Sequence, residues 1–143
     1  MTSQFSDFLV RALRGYARSV THELGLTSDR SYVQAEGSAT VFLELDRRLP
    51  AFPDRGAALL WDQHTGWAVA VETHSGEDLI VQAWFGSDVL PGPRAVARWV
   101  DVLLHGAGHP DAGYGSTGQA QADLTRRLVP YATAPLTALS RAA

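Results

Sequence analysis

The chain has no cysteine among its 143 residues, and all 12 of its basic residues are arginine, so lysine is absent as well. The first absence excludes disulfides, thiolate nucleophiles and cysteine-ligated metals. The second excludes a Schiff-base lysine, a lysine general base and the lysine of a phosphate-binding loop. No apolar run approaches the roughly 18 residues of a membrane span. The start, Met1-Thr2-Ser3-Gln4, lacks the basic-then-apolar pattern of a secretory signal. The expectation is a cytoplasmic protein that does not engage a membrane. The net charge of −3 runs against general nucleic-acid binding, because phosphate neutralisation needs a basic surface.

What is present fits one globular domain. The hydrophobic share of 45% and charged share of 19% are ordinary. The length suffices for a core without metal or disulfide staples. From about Ser6 to Leu24, apolar residues Phe8, Leu9, Ala12, Leu13, Tyr16, Ala17, Val20 and Leu24 recur at helical spacing, with Arg11, Arg14 and Arg18 opposite. Gly25 is a natural stop. A short strand is expected at Tyr32–Gln34, and β-branched and aromatic content predicts another at Thr40–Leu45. Pro50 and Pro53 keep residues 47–55 out of a sheet interior.

Three strands follow, Ala57–Trp61, Trp67–Thr73 and Leu79–Phe85, joined by short glycine-containing turns that favour an antiparallel meander. A second helix opens at Pro93 and ends at Gly106, mostly apolar and so expected to be largely buried. A third is expected from about Ser116 to Val129, stopping at Pro130. The fold class is therefore α+β: one antiparallel sheet of four or five strands with a long N-terminal helix, a buried second helix and a C-terminal helical segment. Residues 1–106 read as the core domain. Residues 107–143 read as a glycine-rich connection and a helical extension packed on the same domain.

Three of the four tryptophans fall in the meander. If Trp61 pairs with Trp67 and Thr73 with Asp78, then Trp67 faces Trp84 across a regular ladder. One sheet face then carries Leu59, Trp61, Trp67, Val69, Val71, Ile80 and Trp84, and the other carries Ala58, Leu60, Ala68, Ala70, Val81 and Ala83. The smooth alanine face invites a helix. The tryptophan face calls for a core layer, an interface or a ligand. A one-residue register change would break the row.

Other motifs are sparser. Gly113-Tyr114-Gly115-Ser116-Thr117-Gly118 matches G-x-G-x-x-G, but no strand precedes it and no parallel strand follows, so it is read as linker and helix start. His22-Glu23 resembles the opening of a zinc-protease helix, yet Leu26 stands where the second histidine belongs. The hairpin tips gather Asp62, Gln63 and His64 at one turn, and Glu72, His74, Glu77 and Asp78 at the next. Turn chemistry explains most of these residues, and consecutive tips of a meander lie at opposite ends of the sheet. His105 suits a helix C-terminus, with Asp101 one turn back. Arg47, Arg48 and Arg55 form a second cationic patch beside the proline-rich loop. No constellation calls for a cofactor or a metal.

A resemblance enters through Leu49-Pro50 with Phe52-Pro53, Ala58-Leu59-Leu60-Trp61-Asp62, Gly66-Trp67-Ala68, Glu72-Thr73 with Ser75-Gly76-Glu77-Asp78-Leu79, and Asp88-Val89-Leu90-Pro91. These stretches resemble a small actinobacterial family, the domain of unknown function 6292, over roughly Tyr16 to Leu104. The resemblance implies a bacterial intracellular setting and carries no known activity or catalytic residue.

The expected function is a non-catalytic binding or regulatory module. It would use Trp61, Trp67 and Trp84 to form a homodimer or to engage a protein partner or small molecule. The alternative is a small cofactor-independent enzyme of a biosynthetic pathway, with acid/base chemistry at Glu72, His74 and Asp78 and with Glu23 or His22 next. A third reading is an adaptor whose Arg11, Arg14 and Arg18 stripe docks on an acidic partner.

Overall fold

The structure is a computed structural model and describes residues 2–26, 31–34, 38–73, 75, 78–86, 88–106 and 121–133. The described residues form eight elements in the order α1 (Thr2–Leu24), β1 (Ser31–Gln34), β2 (Thr40–Leu45), β3 (Ala57–Asp62), β4 (Gly66–Glu72), β5 (Leu79–Trp84), α2 (Pro93–Leu104) and α3 (Gln121–Thr133). The strands make one antiparallel sheet in sequence order, β1 to β5. None of the described helices is long and apolar enough to cross a membrane.

α1 buries Leu9, Ala12, Leu13, Tyr16, Ala17 and Val20, one continuous stripe at helical spacing. It ends where Gly25 takes a left-handed φ of 68°. The Leu26 N–H then donates to the Thr21 carbonyl and the Gly25 N–H to that of His22, both at 3.1 Å. These two bonds satisfy carbonyls that a helix end otherwise leaves bare. α2 begins behind Gly92 with proline in its first turn and closes at Gly106, again at positive φ. Its burial is confined to a stripe: Val96 and Val100 are fully enclosed, while Val102 is exposed.

The β3–β4 hairpin turns through Gln63, His64 and Thr65, and Gly66 adopts φ 79° to rejoin the ladder. A side chain at Gly66 would press on the backbone of Asp88 and Val89 at 3.2 Å, so both conformation and space require glycine there. Trp61 pairs with Trp67 and Leu59 with Val69, as the turn spacing predicts.

The β4–β5 register differs from the expectation. Val71 meets Ile80 and Ala70 meets Val81, but Val69 then meets Ala83, and Ala68 meets Trp84. Gln82 is the extra residue of a β-bulge, which shifts the parity of everything after it. Trp84 therefore does not extend the Trp61–Trp67 pair. It projects from the opposite face. Phe85 in turn points to the helix side, where its ring meets Trp99 edge-on at 5.4 Å.

The helices cover the face that carries Val41, Leu43, Leu59, Trp61, Trp67, Val69 and Val71, and these residues form one core with α1, α2 and α3. The tryptophan face is thus the core layer, one of the three fates open to it, while the alanine face, expected to take a helix, has none of the described helices over it. Volume explains the choice. Two tryptophans hold far more apolar area than a patch of alanines, so hydrophobic burial favours putting them beneath the helices.

α3 also departs from expectation: it runs through Pro130 to Thr133. The lost backbone bond is offset by packing of Tyr131, whose ring meets Tyr16 edge-on at 5.0 Å. Gly15 lets the two helices meet, since a Cβ at that position would collide with the Tyr131 carbonyl. Residues 107–120, including the G-x-G-x-x-G stretch, and the tail after Pro135 lie outside the described residues.

Candidate functional site

The buried tryptophans hold a segment in place. The Trp61 indole donates to the Val89 carbonyl at 2.6 Å. The Trp67 indole donates to the Tyr16 hydroxyl at 3.0 Å, and that hydroxyl donates onward to the Pro91 carbonyl. Arg127 of α3 forks onto both carboxylate oxygens of Asp88 at 3.0 Å and also reaches the Leu90 carbonyl at 2.9 Å. The run Asp88–Pro91, which leads into α2, is thus tied to α1, β3 and α3 at successive residues.

Burial is the main cause that pushes the Tyr16 pKa far above its ordinary 10.0, so the hydroxyl stays protonated and available as donor. At Asp88, burial pushes the pKa upward. The Arg127 guanidinium and the Leu90 and Val89 N–H groups outweigh it and hold the carboxyl below its ordinary 3.8. Tyr16, Asp88 and Arg127 carry this network, and sequence reasoning did not single them out for it. Their partners lie 75, 51 and 39 positions away in the chain, beyond any local motif.

The residues proposed for acid/base chemistry are dispersed. Glu23 is exposed at the end of α1, 3.9 Å from exposed Arg94. Glu72 is half-buried at the end of β4, with its carboxylate over Gly56. Asp78 is exposed and closes the next turn through the Thr73 backbone and hydroxyl. His74 and Glu77 lie outside the described residues. His22 and His64 are exposed. His105 Nδ1 is 2.8 Å from the Asp101 carbonyl oxygen, as the helix-end reading expects. Among the described residues no cluster of three potential ligands could hold a metal ion. Arg11, Arg14 and Arg18 are exposed as expected, and Arg14 and Arg18 overlook a cleft of about 430 Å³ between α1 and β1.

The helix-free face of the sheet has more structure than any of these. Pairing places Tyr32, Phe42, Leu60, Ala68 and Trp84 in one row across all five strands. The Tyr32 and Phe42 rings stack at 5.1 Å and 12°, although Tyr32 is 63% exposed. From Phe42 to Trp84 is three strand steps, about 14 Å between backbones. Leu60 and the small Ala68 lie between, so the row forms a trough with aromatic walls. Its volume is about 430 Å³, within the range of small-molecule sites.

Asp62, Thr40 and Thr65 line the trough beside Leu60. Asp62 spends one carboxylate oxygen, Oδ1, on the His64 N–H at 2.7 Å. The alternation of β2 carries a signal for this face, but Tyr32 and Phe42 join Trp84 only through pairing across all five strands, which no local pattern shows.

Residues 16–102 match a family of unknown function (DUF6292), and since they make up more than half of the chain, the protein belongs to that family. The match takes in the whole trough and the Asp88–Pro91 run. It stops short of α3. No curated protein and no solved structure matches the chain.

Proposed function

We propose that the chain is a non-catalytic binding module of the cytoplasm whose helix-free sheet face holds a small molecule. The observation that carries this reading is the trough itself. It is an apolar floor at Leu60 and Ala68 between Phe42 and Trp84, left uncovered by the three described helices. An antiparallel sheet with one wet face ordinarily alternates apolar inside with polar outside. Here the outward positions of the central row are aromatic or aliphatic, with Phe42, Leu60 and Trp84 half-buried around a buried Ala68, as in the concave, mostly apolar sites that hold small molecules.

The test is a titration with indole, a neutral bicyclic ring, followed by amide chemical shifts. The expected shifts cluster on Phe42, Leu60, Ala68 and Trp84 and vanish in Leu60→Glu. This variant should keep its fold because Leu60 lies outside the helix-covered core. Shifts centred on α1 and α2, or shifts that survive the variant, would remove the reading.

A further inference from the structure

The trough has a sign. Strand parity puts Glu44, Asp62 and Glu72 on the helix-free face, and no arginine or histidine stands among the described strand residues of that face. Among the described lining residues none is arginine, and Asp62 is the acidic one. Its second oxygen, Oδ2, is not engaged by the turn that holds Oδ1. The hydroxyl-bearing Thr40 and Thr65 flank the same end. Aromatic faces attract cations through the ring quadrupole, tryptophan most strongly. A trough with Phe42 and Trp84 as walls and a carboxylate at one end therefore presents negative potential in both its apolar and its polar parts.

From this geometry we infer that the ligand is a small organic cation: a flat apolar ring bearing a primary or substituted ammonium group. The ring lies over Leu60 and Ala68 between the aromatic walls, and the ammonium group meets Asp62. This inference rests on the trough being the binding face. A second copy of the chain is a poorer occupant, because stacking two copies face to face sets the Asp62 and Glu72 carboxylates of one against those of the other.

The experiment uses the full chain and three ligands that share a ring: tryptamine, 3-ethylindole and indole-3-propionate, which are cationic, neutral and anionic at pH 7. Dissociation constants are read from shifts of the Leu60 and Ala68 amides and the Trp84 indole, alongside sedimentation of the free protein. Tryptamine should bind about tenfold tighter than 3-ethylindole, and indole-3-propionate weakest. Asp62→Asn retains the side-chain oxygen that caps the turn, so it should fold and bring tryptamine level with the neutral ring.

Equal binding of all three, or a preference for the anion, overturns the cation inference while leaving the binding face in place. Absence of shifts on this face with every ligand up to 10 mM overturns both. A dimer whose interface protects Phe42 and Trp84 replaces the ligand with a second copy and overturns the inference as well.

Discussion

The two faces of this sheet carry similar chemistry and meet different fates. One holds Trp61 and Trp67, which are 1% and 0% exposed beneath three helices. The other holds Tyr32, Phe42 and Trp84 with no described helix over them. On the covered face the indole N–H groups of Trp61 and Trp67 have acceptors within the protein, at 2.6 and 3.0 Å. The open face spends its aromatic area on a trough. Aromatic content therefore says that a face must be covered or used. Volume and hydrogen-bonding opportunity decide which face goes under the helices.

Paired substitutions break this comparison most directly. Trp67→Ala should cost about 3–5 kcal/mol, the range for a large aromatic lost from a core. Trp84→Ala, on the open face, should cost about 1 kcal/mol or less. Urea unfolding measures both, and equal losses would erase the distinction between faces.

Tyr16→Phe comes next. It strands the Trp67 N–H and the Pro91 carbonyl, at about 1–3 kcal/mol. The same tyrosine makes the covered face sensitive to alkali. Its folded pKa lies above the unfolded value near 10, so the unfolded chain loses its proton first. Stability should fall as pH rises past 10, and Tyr16→Phe should flatten that slope. Gly15→Ala tests the α1–α3 contact at about 1–3 kcal/mol by overpacking against the Tyr131 carbonyl.

The smallest effect belongs to Asp88, about a third exposed and paired with Arg127, so that its contribution is about 1 kcal/mol. Its folded pKa is depressed. The stabilisation is therefore complete above the ordinary carboxylate value of 3.8 and is lost as pH falls through the lower folded value. Asp88→Asn should remove that acid limb from the stability profile. An unchanged limb would assign it to other carboxylates.

Much of the fold was legible in local pattern. The α1 stripe, the strand alternation, the proline at the start of α2 and the glycine stops all act within a few residues, and the five strands and α2 lie near their expected bounds. The hairpin at Trp61 and Trp67 was legible because a short turn fixes register. What escaped depends on distant partners. The bulge at Gln82 relocates Trp84, and no local residue announces it. Pro130 reads as a stop, yet the helix continues because Tyr131 finds Tyr16. The Asp88–Arg127 fork joins residues 39 apart. The open trough was missed for a related reason: its walls come from β1, β2 and β5, and only the pairing of all five strands aligns them.

The bulge in β5 acts as a parity switch written in one residue. Before Gln82 the strand follows the inward and outward rhythm of its neighbours. After it the rhythm is inverted, which gives Trp84 to the open face and Phe85 to Trp99. Were Gln82 paired with Val69 in a regular ladder, the two roles would be exchanged and the larger ring offered to the helices. Trp84 would leave the trough, and Phe85 would turn outward in its place. The shape of the trough thus depends on the register of one strand as much as on the identity of the side chains that line it.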